Sequence, residues 1–135
     1  MATKLRQYLD QRGVPYELLT RPNSDQLPMR APAPTQTAKS VILGDNGGYL
    51  MAVVPANHEV DLEFLRRYIG RELNLARLDD VQRIFNDCQP GAIPPIGEAY
   101  DMNILLDEVL FDWPDIYFHA GRISDLVHMR GHDFR

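Results

Sequence analysis

The sequence has a single cysteine, Cys88, among its 135 residues. No disulfide can close within it, which excludes a small secreted scaffold held by staples. Its basic side chains are in deficit, 14 Lys and Arg against 19 Asp and Glu, for a net charge of −5. A protein that coats nucleic acid by releasing counterions needs a broad basic face, and this composition has no surplus with which to build one. Any contact with nucleic acid is expected to be small and local, and binding to DNA is not expected. No apolar run approaches the roughly 18 residues that cross a bilayer, and the opening Met-Ala-Thr-Lys-Leu-Arg-Gln-Tyr lacks the apolar core of a secretory leader. The default expectation is a cytoplasmic protein without a membrane partner. Internal repeats, heptads and blocks of like charge are also missing, which removes solenoid, coiled-coil and acidic-tail readings. There is no H-E-x-x-H, no P-loop, no dinucleotide-binding glycine pattern and no convincing Ser-His-Asp order. His58, His119, His128 and His132 are scattered beside one cysteine, so neither a metal site nor a cofactor is expected.

What is present reads as one soluble domain, residues 1–135, with 44% hydrophobic and 24% charged residues, enough to bury a core. The most pointed stretch is Pro90-Gly91-Ala92-Ile93-Pro94-Pro95-Ile96-Gly97. Its glycines permit backbone angles closed to other residues, while its prolines fix their own φ and supply no N–H. The few remaining amides, those of Gly91, Ala92 and Ile93, could face a ligand; an ordinary tight connection has the same punctuation.

In chain order, residues 3–12 are predicted as a short amphipathic helix with Thr3 as cap, Leu5, Tyr8 and Leu9 on one face and Gly13 at its end. Residues 15–20 read as a first strand. From Arg21 to Ala38 the prolines at 22, 28, 32 and 34 interrupt every element, leaving a loop, a flap or a lid. Residues 39–43 and 49–55 flank Gly44-Asp45-Asn46-Gly47-Gly48, the clearest hairpin signal in the chain. A helix follows with Asp61 as cap, Leu62, Leu65 and Ile69 as its apolar stripe and Gly70 beyond its end. A small strand is expected at 73–76 and a second helix at about 79–87. Residues 102–107 read as a buried strand, 108–114 as a turn or short helical crossing, and 116–120 and 126–130 as closing strands around Gly121. The fold class predicted is α+β, with a mixed, largely antiparallel sheet curled toward a barrel and flanked by helices.

Several side chains in this frame admit a chemical role. Lys39, at the start of an apolar strand, is either a solvated strand end or a cation at the mouth of a site. Ser40 beside it points to the opposite face, so a Ser–Lys dyad is discarded. Cys88, on the apolar side of its helix, reads as a core residue rather than a nucleophile. Asp107 ends a strand and either orients a ligand or closes a turn. Alternation places His128 with Leu126 and Arg130, and His119 with Tyr117; each either lines a cleft or sits on a rim.

Taken in order, Ala38-Lys39-Ser40-Val41-Ile42-Leu43, Val53-Val54-Pro55, Val60-Asp61-Leu62, Gly91-Ala92-Ile93-Pro94-Pro95-Ile96-Gly97, Leu106-Asp107-Glu108 and Ala120-Gly121-Arg122 resemble the YbaK/prolyl-tRNA synthetase-associated editing domain family. The likeness runs from about Leu5 to Met129. It implies a barrel-like mixed core and hydrolysis, in trans, of the ester joining a mischarged small amino acid to the 3′ end of tRNA; a non-catalytic domain of the same fold that binds a ligand or the tRNA end is the alternative. It further implies a catalytic centre at Lys39, Gly91 and Ala92, with Ile93, Pro94, Pro95, Asp107, Gly121 and His128 about the substrate. Lys39 would anchor the terminal adenosine or its phosphate, the loop would present its backbone to the ester, and a ribose hydroxyl would help activate water. The partner implied is the acceptor end of aminoacyl-tRNA, with a synthetase or a fused or associated domain assisting docking. This chain departs from many relatives in Arg21-Pro22-Asn23-Ser24-Asp25-Gln26, where they carry a histidine and a small helix. It departs from several more in having Ala92 where they have glycine.

Overall fold

Leu5 and Leu9, four residues apart and fully enclosed, make the buried stripe of helix α1 (Thr3–Arg12), which Gly13 closes at φ 66°. The computed structural model describes residues 1–20 and 37–134, so most of the proline-rich stretch, with the lid expected there, lies outside the described residues. Thr3 is not the cap. Ala2 takes that position without a side-chain bond, because its N–H is held by the carbonyl of Ala120 at 2.7 Å and tertiary contact fixes where the helix starts.

Strand β1 (Glu17–Thr20) follows, and the chain is described again from Thr37. Strands β2 (Ala38–Asp45) and β3 (Gly48–Pro55) form the expected hairpin across the two-residue turn Asn46-Gly47. Asp45 accepts from the Gly47 amide at 2.7 Å and is gripped by both ends of the Arg71 guanidinium, which fastens the turn. Helix α2 (Leu62–Ile69) is capped as predicted, with the Asp61 carboxylate accepting from Phe64 N–H and Gly70 left-handed beyond its end. Strand β4 is only Asn74–Leu75, and helix α3 (Leu78–Ile84) ends sooner than its sequence pattern suggests. A 3-10 turn at Gly97–Tyr100 leads to strand β5 (Asn103–Leu106). A second at Glu108–Asp112 leads to β6 (Asp115–His119), β7 (Asp125–Arg130) and a last turn, α4 (Gly131–Phe134).

Two sheets result, ordered β1-β7-β6 and β4-β2-β3-β5. Every ladder is antiparallel except β3–β5. The fold is α+β as expected, but the sheets do not close into a barrel; an isolated bridge from Thr37 to Tyr117 joins their margins. The main core lies between them, with Ile42, Met51 and Val53 from one sheet facing Ile116, Phe118, Val127 and Met129 from the other. Leu43, Leu50 and Ala52 point to the opposite side of the four-stranded sheet and are covered by Leu62, Leu65 and Ile69 of α2. Strand β3 is therefore enclosed on both faces, which is why its sequence shows a continuous apolar run without alternation. Among the described residues no helix is long and apolar enough to cross a membrane.

Candidate functional site

The start of β2, the β4–α3 connection, the Gly/Pro loop and the end of β6 converge on a cleft of about 350 Å³. Lys39, Ser40, Ala56, Val81, Gly91, Ile93 and His119 are among the residues around it. Each wall is pinned to the next by hydrogen bonds. Ala56 N–H donates to Thr37 O at 2.7 Å and Ala76 N–H to Ile42 O at 2.9 Å, holding the connections beside β2. The Ser40 hydroxyl donates to the carbonyl of Ile93 at 2.9 Å, tying β2 to the loop. The loop is tied in turn to the turn after β6: Gly121 N–H donates to Ala92 O at 2.8 Å, and Gln89 N–H donates to Gly121 O at 2.6 Å.

That pinning decides which amides are left for a ligand. Ala92 is fully buried, and its N–H is spent on the carbonyl of Gln89 at 3.1 Å. That amide is therefore already engaged, and Ala92 is not among the residues around the cleft. Gly91, at φ 80°, and Ile93 have backbone amides with no hydrogen-bond partner among the described residues. The Lys39 ammonium likewise meets no carboxylate among the described residues, although the side chain is half-buried. Lys39 and His119 are the titratable groups among the described lining residues, and no carboxylate stands among them, in a protein whose net charge is −5. Such a site favours an anion or an oxygen that gains negative charge.

The other residues singled out in the sequence lie elsewhere. Pro94 and Pro95 are buried behind the loop, where Pro95 borders a separate hollow of about 260 Å³ with Tyr8, Arg12 and Phe134. Asp107 caps the second 3-10 turn, its carboxylate accepting from Val109 N–H at 3.1 Å. Gly121 holds the loop rather than lining the cleft. Cys88 is buried at the hydroxyl of Tyr100, 3.2 Å away, and burial pushes its thiol up to about 12, so it holds no thiolate at neutral pH.

His128 is outside the cleft as well. Its Nδ1 meets the Glu17 carboxylate at 2.7 Å, its Nε2 meets Asp115 at 2.8 Å, and its ring stacks on Tyr117 at 4.6 Å between centroids. It clamps β1 to the rest of its sheet. Partial burial lowers its pKa, but the hydrogen bonds to Asp115 and Glu17 outweigh that, and the net shift is upward. A group whose folded pKa is raised contributes stability that is fully present below its unfolded value, about 6.5, and lost as pH rises through the folded value. Replacing His128 with Gln is expected to destabilise the protein most at about pH 6, with the gap to the native protein narrowing toward about pH 9 in urea titrations. A gap that does not change with pH would contradict the clamp.

Residues 24–135 match the aminoacyl-tRNA editing domain. The chain belongs to that family. Solved structures share the editing-domain fold at identities low enough to speak for the fold alone. One described as a candidate trans-editing enzyme for prolyl-tRNA synthetase has a TM-score of 0.80 and 20% identity over 97% of this chain and 87% of its own. A hypothetical protein gives 0.77 and 23% over 96% of this chain and 90% of its own. A candidate signal transduction protein from Marinobacter aquaeolei VT8 gives 0.81 and 20% over all of this chain, which spans only 28% of that longer one. No curated protein matches the chain.

The residue that sequence reasoning left unresolved is His119. Strand alternation puts it and His128 on outward-facing positions alike. Only the fastening of Gly121 to the loop shows that the end of β6, and not the middle of β7, borders the cleft.

Proposed function

We propose that this editing domain is an aminoacyl-tRNA deacylase that acts in trans, hydrolysing the ester between a mischarged small amino acid and the terminal ribose. The observation that carries the reading is the placement around a single cleft of one cation, Lys39, and two amides, those of Gly91 and Ile93, that have no partner among the described residues. Lys39 holds a phosphate or the adenosine of the acceptor end by charge. The amides of Gly91 and Ile93 receive the oxyanion that forms when water adds to the ester carbonyl. Ser40 holds the loop so that those amides keep their aim. The acidic net charge fits a protein that grips only the tip of its tRNA and relies on a synthetase or another domain for further docking.

The test is deacylation of a panel of mischarged tRNAs, including alanyl- and seryl-tRNA, by the native protein and by Lys39→Ala. Loss of a charge-assisted contact worth about 1.5–3 kcal/mol is expected to reduce kcat/KM by about 10- to 150-fold. An intact panel with the native protein would remove the reading. The Marinobacter likeness favours a second one, in which the domain binds a ligand or the tRNA end without turnover as part of a longer signalling chain. Turnover that depends on Lys39 would exclude it.

A further inference from the structure

We infer that the backbone of Ser40 is the part of the cleft that reads the aminoacyl group, binding it as a single residue of β-strand and selecting esters whose α-amino group is free. The inference rests on the deacylase reading and names the substrate class that this same cleft takes.

The site is a gap in the outer edge of β2. Strand β3 occupies the inner edge along residues 38–45. On the outer edge β4 pairs with Leu43 and Gly44, and Ala76 N–H donates to Ile42 O at 2.9 Å. Continued in that register the ladder would bring Leu78 opposite Ser40, but α3 begins at Leu78 and the strand is lost. From the other direction β6 meets this edge through the bridge between Thr37 and Tyr117, and it ends at His119. In an antiparallel ladder the N–H and C=O of one residue point to the same side, and alternate residues share that side. Ile42 directs its carbonyl outward to Ala76, so Ser40, on the same side of the strand, directs both of its backbone groups outward too. Neither group has a partner among the described residues, and Ser40 is one of the residues around the cleft.

Two residues opposed in a hydrogen-bonded antiparallel pair exchange both of their N–H and C=O bonds. An aminoacyl ester carries the same two groups about one carbon: an amine that donates to Ser40 O and an ester carbonyl that accepts from Ser40 N–H. An open strand edge takes an extended peptide in this way, here reduced to one residue. The antiparallel sense also fixes direction. The ester oxygen and ribose lie toward Lys39, whose charge holds the acceptor end, and the amine lies toward Ile42, where the bond from Ala76 closes the gap. An acyl group on that amine would meet the β4–α3 connection, so N-acylated and peptidyl esters are shut out while free aminoacyl esters enter. Opposed residues place their side chains on one face. An L side chain would stand beside the Ser40 hydroxyl, whose 2.9 Å bond to Ile93 O crowds that face and favours a small group.

The experiment takes whichever mischarged tRNA the native protein hydrolyses and compares its aminoacyl ester with the N-acetyl derivative and the deamino analogue. Each rate is divided by the spontaneous hydrolysis of the same ester, which removes differences in intrinsic reactivity. Expected are losses in kcat/KM of at least about 100-fold for the N-acetyl ester, which is blocked, and at least about 10-fold for the deamino ester, which lacks the donor to Ser40 O. The 3′-amide analogue of the aminoacyl-adenosine supplies a readout without turnover: it should shift the Ser40 amide resonance in proton–nitrogen spectra, and its N-acetyl derivative should not. Either altered ester hydrolysed within about threefold of the free one overturns the inference. So does an analogue that moves the Gly91 and Ile93 resonances and leaves Ser40 in place. Those outcomes leave native turnover intact, and the deacylase reading stands. A native protein inactive on every tRNA removes both.

Discussion

Gly121→Ala is expected to cost about 3–5 kcal/mol of stability, summed from left-handed strain and overpacking. Gly121 adopts φ +94°, and a Cβ there would lie 2.6 Å from the Ala2 Cβ and 3.0 Å from the Ala2 nitrogen. Neither neighbour can step aside, because Ala2 is buried and its N–H is held by the carbonyl of Ala120. In a domain of this size that loss corresponds to roughly a 10–20 °C fall in Tm. Activity should fall with it even at temperatures where the variant is folded, since the N–H and carbonyl of Gly121 both fasten the Gly/Pro loop. A thermal melt within about 2 °C of native would show that the contact between Ala2 and Gly121 yields, and would sink the argument for a rigid junction.

Phe85→Ala should cost a similar amount, about 3–5 kcal/mol, by the cavity mechanism. Phe85 is completely enclosed, packs on Tyr100 with 4.5 Å between ring centroids, and terminates α3 by donating its N–H to Val81 O at 2.8 Å. Its carbonyl also accepts from Cys88 N–H, so the ring anchors the turn that feeds the chain into the loop. Urea unfolding should show a lower midpoint with an unchanged slope, and Phe85→Leu, which refills much of the volume, should recover most of the loss. A cost below about 1 kcal/mol would mean that the site collapses around the missing ring.

Local chemistry made much of this fold legible. Gly13 and Gly70 both take the left-handed conformation their positions called for, Asp61 caps its helix, and the glycine-rich turn sets the register of β2 against β3. Readings that depended on distant partners fared less well. Residues 102–107 looked like a buried strand, yet β5 lies parallel to β3 at the margin of its sheet, with Asn103 and Ile104 exposed. Helix α3 stops at Ile84 because Phe85 leaves helical geometry and the chain turns toward Cys88, a change that apolar spacing does not record. Lys39, Gly91 and Ile93, singled out from an unusual loop and a family likeness, lie around one cleft. That the Ala92 amide is occupied by the carbonyl of Gln89 is a matter of turn geometry, which the sequence does not record. Choosing between His119 and His128 required knowing that Gly121 meets Ala92, a long-range contact without a sequence signature.

The pairing of β1 with β7 brings Glu17 opposite His128, so among the described residues the first strand waits for β7 before it has a neighbour. The hairpin of β2 and β3 needs only its own turn, and α2 can cover it as soon as residues 62–69 are made. Order of assembly follows from that difference in loop length: the four-stranded sheet can nucleate on a growing chain, while the three-stranded sheet waits until residues 125–130 have been made. Gly121 follows β6 of that same sheet and fastens the loop, so the cleft too waits for it. A ribosome carrying this chain would hold a formed hairpin and an unformed site until residues 125–130 emerged.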